Sequence, residues 1–354
     1  MDILDQRYQK TSRLGRFKNR VGIVSDFLSR RTETRSYPTE YVLEVSNRCN
    51  LRCVMCPIHD MKRSVGFMQP AVFEKIITEI SPYAELVYLI GEGEPLLNKY
   101  FIDYLSELKK RKIFAGTSTN AMLLTAEISE KLLLNDISYI IFPLDGITKK
   151  TYEAIRVNAD FDVVLENIRQ FLLLKQRLKK KTFVQLQMIS MEKNMEDVKH
   201  FSDFIKKLDA HNQVNDIRIK PVIDFSMKNK DREGEALRLQ DACFLLWRNM
   251  FISHDGIPFV CCQDTNGAIP IGDFKKECLE EIWNSPKMRS FRKLHVQGER
   301  GKSSLCVNCD LDQRYFNLLA VAATSFFNAG RLKRYISYYE KYMLGSSKDR
   351  KKQN

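Results

Sequence analysis

Apolar residues in the first two thirds of the chain recur with two alternating periods. Short runs at Tyr41–Ser46, Leu86–Ile90, Ile113–Ser118, Ser138–Leu144, Phe183–Ile189 and Asp216–Pro221 read as strands. Between them, Pro70–Ile80, Phe101–Lys110, Thr125–Leu134, Phe161–Leu178 and Met195–Leu208 carry the spacing of amphipathic helices. Thr125 suits a helix N-cap, and Glu127 and Glu130 suit the positive end of that helix. Six strands with helices between them predict an α/β fold, a partial parallel (β/α)6 barrel. The chemistry of such a fold belongs on the loops that leave the C-terminal strand ends.

The pattern breaks near Lys228–Gly234. Beyond it, Trp247–Ser253 and Pro258–Cys262 flank His254-Asp-Gly256, a hairpin signal. Ala320–Asn328, followed by Arg331, Lys333 and Arg334, reads as a helix that packs across the barrel's open side or lies on a membrane surface. The predicted organisation is a basic extension over 1–38, a barrel over 39–228, a small cysteine-rich domain over 229–315 and a basic helical tail over 316–354.

Composition narrows the class. At 354 residues with 44% hydrophobic content, the chain suffices for one large and one small core. The start, Met1-Asp-Ile-Leu-Asp-Gln, has no signal-peptide pattern, and the most apolar stretch, Tyr315–Phe327, falls short of the roughly 20 residues of a membrane span. A cytoplasmic location is expected, with membrane contact no more than peripheral. Nine cysteines in a reducing compartment then argue for metal ligation over disulfides. The net charge of +13 sits mostly in the tails: residues 1–38 carry nine Lys/Arg against four Asp/Glu, and residues 331–354 carry eight against two. A near-neutral middle argues against nucleic acid as a partner. The tails are either solvated or docking surfaces for an acidic electron donor, an acidic substrate or an anionic membrane.

Candidate chemistry begins at Cys49, Cys53 and Cys56, on the loop leaving the first strand. The C-x3-C-x2-C spacing is open to three readings: a zinc knuckle, scattered thiols, or three corners of a 4Fe–4S cube with one iron left free. Around it the run Asn47-Arg-Cys-Asn-Leu-Arg-Cys-Val-Met-Cys56 resembles the radical S-adenosylmethionine (SAM) superfamily. The resemblance implies that a 4Fe–4S cluster on the three thiolates binds SAM and cleaves it reductively to a 5′-deoxyadenosyl radical. Gly91-Glu-Gly-Glu-Pro-Leu-Leu97 resembles the family motif for the amino group of SAM, which implicates Gly93, Glu94 and Pro95, with Glu92 where many members have glycine. Ser118 and Asn120 after the third strand, and Asp145 after the fourth, resemble ribose and methionine contacts. Pro143 stands where serine is usual. Arg156, in Thr151-Tyr-Glu-Ala-Ile-Arg156, resembles the arginine that meets the methionine carboxylate, and Gln187 and Asn194 are weaker candidates. Met55 stands where an aromatic ring often faces adenine.

A second set comprises Cys243, Cys261, Cys306 and Cys309. Its spacing fits a structural zinc as well as a cluster. The segment Cys243–Cys309, with Gly272-Asp-Phe and Glu280-Glu-Ile-Trp-Asn284, resembles the auxiliary-cluster domain called SPASM in its shortened "twitch" form. That implies one fully ligated auxiliary 4Fe–4S cluster, and leaves Cys262 and Cys278 to buried packing. The expected enzyme abstracts a hydrogen from a polyol, sugar or related small metabolite and oxidises it by two electrons, with flavodoxin or ferredoxin as electron donor. Peptide or protein maturation is the alternative, and a non-enzymatic zinc or iron–sulfur scaffold a third reading.

Overall fold

The computed structural model describes residues 13–221, 242–307 and 309. Its regular elements are helices α1 (Arg13–Leu28), α2 (Pro70–Ile80), α3 (Phe101–Lys110), α4 (Ala126–Leu134), α5 (Lys149–Ile155), α6 (Phe161–Arg177), α7 (Met195–Leu208), α8 (Leu245–Arg248), α9 (Leu279–Trp283), α10 (Pro286–Val296) and α11 (Ser304–Val307). The strands are β1 (Glu40–Leu43), β2 (Arg52–Cys53), β3 (Leu86–Leu89), β4 (Phe114–Ser118), β5 (Tyr139–Pro143), β6 (Arg156–Val157), β7 (Phe183–Ser190), β8 (Asp216–Pro221), β9 (Asn249–Ile252) and β10 (Pro258–Phe259). They form two compact units. Of the described residues, 13–42, 69–86, 242–307 and 309 belong to one, and 43–68 and 87–221 to the other, so β1 and β3 are divided between them.

In the second unit the strand order is β1–β3–β4–β5–β7–β8, and β4–β5, β5–β7 and β7–β8 pair parallel. The fold is α/β as predicted, but the sheet is open: among the described residues β8 does not pair back to β1. The buried side of each strand is aliphatic or aromatic. Ile140, Phe142, Val184, Leu186 and Met188 have essentially no exposure, and Phe142 meets Phe171 of α6 edge-on at 5.3 Å. Each such burial stabilises by roughly 1.5–3 kcal/mol. Thr125 caps α4 as expected, its hydroxyl accepting from the Ile128 N–H at 3.3 Å. A two-residue ribbon, β2 with β6, places Cys53 opposite Arg156.

In the first unit, β9 and β10 form the expected antiparallel hairpin, turned at Gly256, whose φ of +86° favours glycine. Residues 13–38 pack here in regular contacts. Phe27 of α1 meets Phe244 and Trp247 edge-on at 4.9 and 5.2 Å, Trp247 Nε1 donates to the Arg31 carbonyl, and Trp283 Nε1 donates to that of Ser36. Glu40 and Arg248 form a buried ion pair. Among the described residues, no helix is long and apolar enough to cross a membrane. The predicted helix over Ala320–Asn328 lies outside the described residues.

Candidate active site

The Cys49–Cys56 loop is fastened at three points. Asn47 accepts from the Gly66 N–H at 2.6 Å and donates to the Ser64 carbonyl at 2.8 Å. The β2–β6 ribbon holds Cys53. Gly93 lies against the loop's first turn, where an added Cβ would sit 2.2 Å from the Arg48 carbonyl oxygen. Only glycine allows that approach, and it lets the Glu94 N–H donate to Arg48 O at 2.7 Å. Burial is the main influence on all three thiols and raises their pKa; it pushes Cys56 up to about 11, with the charges of Cys53, Glu92 and Cys49 adding.

The predicted SAM contacts lie in the same unit as this loop, with Gly93, Glu94, Asn120 and Arg156 reaching it, and several are engaged with each other. Glu94, 2% exposed, accepts from Leu96 N, Thr119 Oγ1 and Asn120 N at 3.1, 2.7 and 2.8 Å. Asn120 donates through Nδ2 to Asn50 Oδ1 at 2.8 Å and toward Cys49 Sγ at 4.0 Å. Asp145, with no exposure, accepts Arg156 Nε and Nη2 on one oxygen at 2.8 and 2.7 Å, and Ile189 N on the other at 2.7 Å. Arg156 keeps one arm, Nη1, 3.9 Å from Cys53 Sγ. Ser118 ends β4 half-buried, and Pro95 opens a 3-10 turn over Pro95–Leu97. Gln187, on β7, has a buried Oε1 with no partner among the described residues. Asn194 is a loop pin, donating to the carbonyls of Asp145 and Ile189.

Sequence reasoning missed Glu44 and Arg63. Glu44 is fully buried and paired through both oxygens with the Arg63 guanidinium, and its Oε1 lies 3.4 Å from the Glu92 N–H. The signal was available: a carboxylate inside the apolar run Tyr41–Val45 demands a buried partner. Burial, then the charge of Glu44, raises the Glu92 carboxyl to about 7, against the opposing effect of Arg63.

The second cysteine set is brought together in the first unit. Cys243 is raised by burial and then by Cys261, Cys309 and Cys306, so all four thiols lie within electrostatic range. Cys261 is raised first by its hydrogen bond with Cys262 and then by burial, and burial pushes Cys306 up to about 11. Cys262 and Cys278 are partly exposed, like Cys243 and Cys261, rather than fully buried as expected. Cys262 sits beside Cys261 at the hairpin end, and Cys278 precedes α9 with its N–H donating to Glu281 at 2.8 Å. Both donor sets fit iron–sulfur chemistry: partly to fully buried thiols that raise one another's pKa, a repulsion a cationic centre would relieve. Among the described residues no three His, Cys, Asp or Glu side chains converge on a single-ion position, and thiolates around a cube meet separate irons.

Comparison with known proteins agrees. Over 105 residues the chain is 37% identical to a tungsten-containing aldehyde ferredoxin oxidoreductase cofactor-modifying protein from Pyrococcus furiosus, a match spanning 29% of this chain and 30% of that one. It is 23% identical over 275 residues to the SAM-dependent 2-deoxy-scyllo-inosamine dehydrogenase of Niallia circulans, covering 76% of this chain and 91% of that one. It is 28% identical over 126 residues to the mycofactocin maturase MftC of Mycobacterium tuberculosis, covering 36% of this chain and 32% of that one. In fold it resembles BtrN in complex with AdoMet and 2-DOIA (TM-score 0.52, 19% identity, 78% of this chain and 94% of that one) and Streptococcus suis SuiB bound to precursor peptide SuiA (0.58, 14%, 81% and 72%). Residues 43–205 match the Radical SAM superfamily, and residues 243–310 match SPASM, an iron–sulfur cluster-binding domain. The chain is therefore a radical SAM superfamily enzyme with a SPASM domain C-terminal to its radical SAM domain, and SAM, a SAM-binding 4Fe–4S cluster and auxiliary iron–sulfur binding go with that membership.

Proposed function

We propose that this enzyme oxidises a small polyol, sugar or related metabolite by two electrons on a partial (β/α)6 barrel. The observation that carries the reading is the extent of likeness: the match to the inosamine dehydrogenase runs over 91% of that protein, whereas the maturase match stops at about a third. In this reading Cys49, Cys53 and Cys56 hold the SAM-binding cluster, and Cys243, Cys261, Cys306 and Cys309 hold one auxiliary cluster. The bound cofactors supply a one-electron cleavage of SAM and a 5′-deoxyadenosyl radical that takes a C–H hydrogen.

The protein's own contribution is placement. Gly93 lets the Glu94 turn abut the cysteine loop, Glu94 fixes the Thr119–Asn120 turn, and Asp145 aims Arg156 so that Nη1 faces the loop. The unpartnered Gln187 Oε1 suits a donor on bound SAM, and Ser118, Asn120 and Pro95 line the same strand ends. In the net reaction the carbinol C–H hydrogen goes to 5′-deoxyadenosine, the O–H hydrogen leaves as a proton, and the remaining electron passes to a one-electron acceptor. Flavodoxin or ferredoxin serves as donor, a role favoured by the basic tails.

The test is anaerobic turnover with a panel of polyols and aminocyclitols deuterated at the carbinol carbon. Monodeuterated 5′-deoxyadenosine in a ratio of about one to one with ketone product supports the reading. Label transfer from a deuterated peptide alone would move the substrate class to the alternative that the maturase likeness offers.

A further inference from the structure

His295 lies in the last turn of α10, 2% exposed, its ring tilted against Phe291 at 5.2 Å. The Cys243 backbone N–H points at its Nδ1 at 3.1 Å, and its Nε2 lies 3.5 Å from Cys306 Sγ. A peptide N–H can only donate, so Nδ1 is the acceptor and the ring proton resides on Nε2. That nitrogen therefore donates to the sulfur. One imidazole thus joins two members of the four-cysteine set, and the main chain fixes its tautomer. Arg300, 4% exposed, adds a positive charge that acts on Cys306 in the same direction.

We propose that His295 is a positioning residue of the auxiliary cluster: its Nε2–H bond to Cys306 orients that thiolate and raises the cluster's reduction potential. The inference rests on the reading that Cys243, Cys261, Cys306 and Cys309 hold a cluster. An N–H aimed at a ligand sulfur stabilises the reduced cluster, which is the more negative one, more than the oxidised cluster. A raised potential suits a centre that takes an electron from substrate rather than one that gives it. A charge-assisted bond of this kind should change the one-electron reduction equilibrium about tenfold, equivalent to about 59 mV.

The experiment uses the full chain, reconstituted anaerobically with iron and sulfide and titrated electrochemically with electron paramagnetic resonance detection. The signal that responds to added SAM marks the first cluster and serves as an internal reference. His295→Phe should lower the auxiliary potential by about 59 mV, the tenfold effect, and leave the reference in place. His295→Gln, whose amide both accepts and donates, should restore most of the shift. Equal auxiliary potentials in wild type and His295→Phe would overturn the proposal. The wild-type chain provides a test that needs no variant: grown with nitrogen-15 histidine, it should show hyperfine coupling between the auxiliary cluster and one histidine nitrogen with its exchangeable proton. Lack of that coupling overturns the proposal even where His295→Phe fails to assemble a cluster. A wild-type chain that binds iron for a single cube overturns both this inference and the reading beneath it, whereas two cubes without shift or coupling overturn the inference alone.

Discussion

Replacing Asp145 with Asn tests whether the fold beside the cysteine loop depends on a buried charge pair. Asp145 has no solvent exposure and Arg156 is 7% exposed. The carboxylate takes two guanidinium N–H groups at 2.8 and 2.7 Å and the Ile189 N–H at 2.7 Å. An asparagine keeps the bond from Ile189 through its carbonyl oxygen but turns an N–H2 group toward the guanidinium donors. Arg156 is then buried without its counter-ion, which costs about 3–5 kcal/mol. Adding Arg156→Met removes the stranded charge, so the double variant should recover most of that loss, to within about 2 kcal/mol of wild type. The measurement is chemical denaturation of the iron-free chain, which separates folding from cofactor loading. An Asp145→Asn chain as stable as wild type, or a double variant worse than either single one, would refute the pairing as described.

Three further outcomes are expected. Gly93→Ala should displace the Glu94 turn from the cysteine loop, with loss of the 2.7 Å Glu94–Arg48 bond costing about 1 kcal/mol and the clash adding to it; SAM affinity of the reconstituted enzyme should fall at least tenfold, as measured by equilibrium dialysis. Because the Glu92 carboxyl is raised to about 7, the native chain binds the extra proton between its unfolded value and 7, so iron-free stability should decline as pH rises from about 4.5 to 7 and level off above; Glu92→Gln should flatten that slope in denaturation curves taken across the range. Deleting residues 331–354, net basic, should slow flavodoxin-driven turnover more than dithionite-driven turnover, most clearly at low salt, and equal loss with both would assign the tail another role.

The long elements were legible because packing imposes a period. Phe183–Ser190 and Met195–Leu208 needed no more than alternation and an amphipathic stripe, and the hairpin announced itself through the glycine at its turn. The cysteine spacing marked both thiol sets for a related reason: ligation of the kind we propose constrains sequence locally. What stayed hidden was set by partners far along the chain. A two-residue ribbon such as Arg52–Cys53 with Arg156–Val157 has no period to read. Glu94 and Asp145 read as ligand contacts, and the protein donors they also take, Leu96, Thr119 and Asn120 on one and Arg156 and Ile189 on the other, come from elements that no local pattern pairs with them. Residue type indicated polar chemistry, but not whether its recipient was ligand or protein. The sheet's openness likewise depends on strand pairing at its edges, which no single strand encodes.

The pairing of Cys53 with Arg156 also sets a timetable for synthesis. The cysteine loop leaves the ribosome about 100 residues before its ribbon partner, and Arg156 is held by an aspartate that itself waits for Ile189. At roughly 5–20 residues per second, the three thiols of this loop remain without their mature surroundings for about 7–27 seconds. Iron delivered to a nascent chain shorter than residue 189 would meet a loop pinned by Asn47 and Gly93 but without its completed ribbon. A cluster seated on those thiols as we propose would find its full surroundings only late in synthesis, and the thiols would have to stay reduced until then.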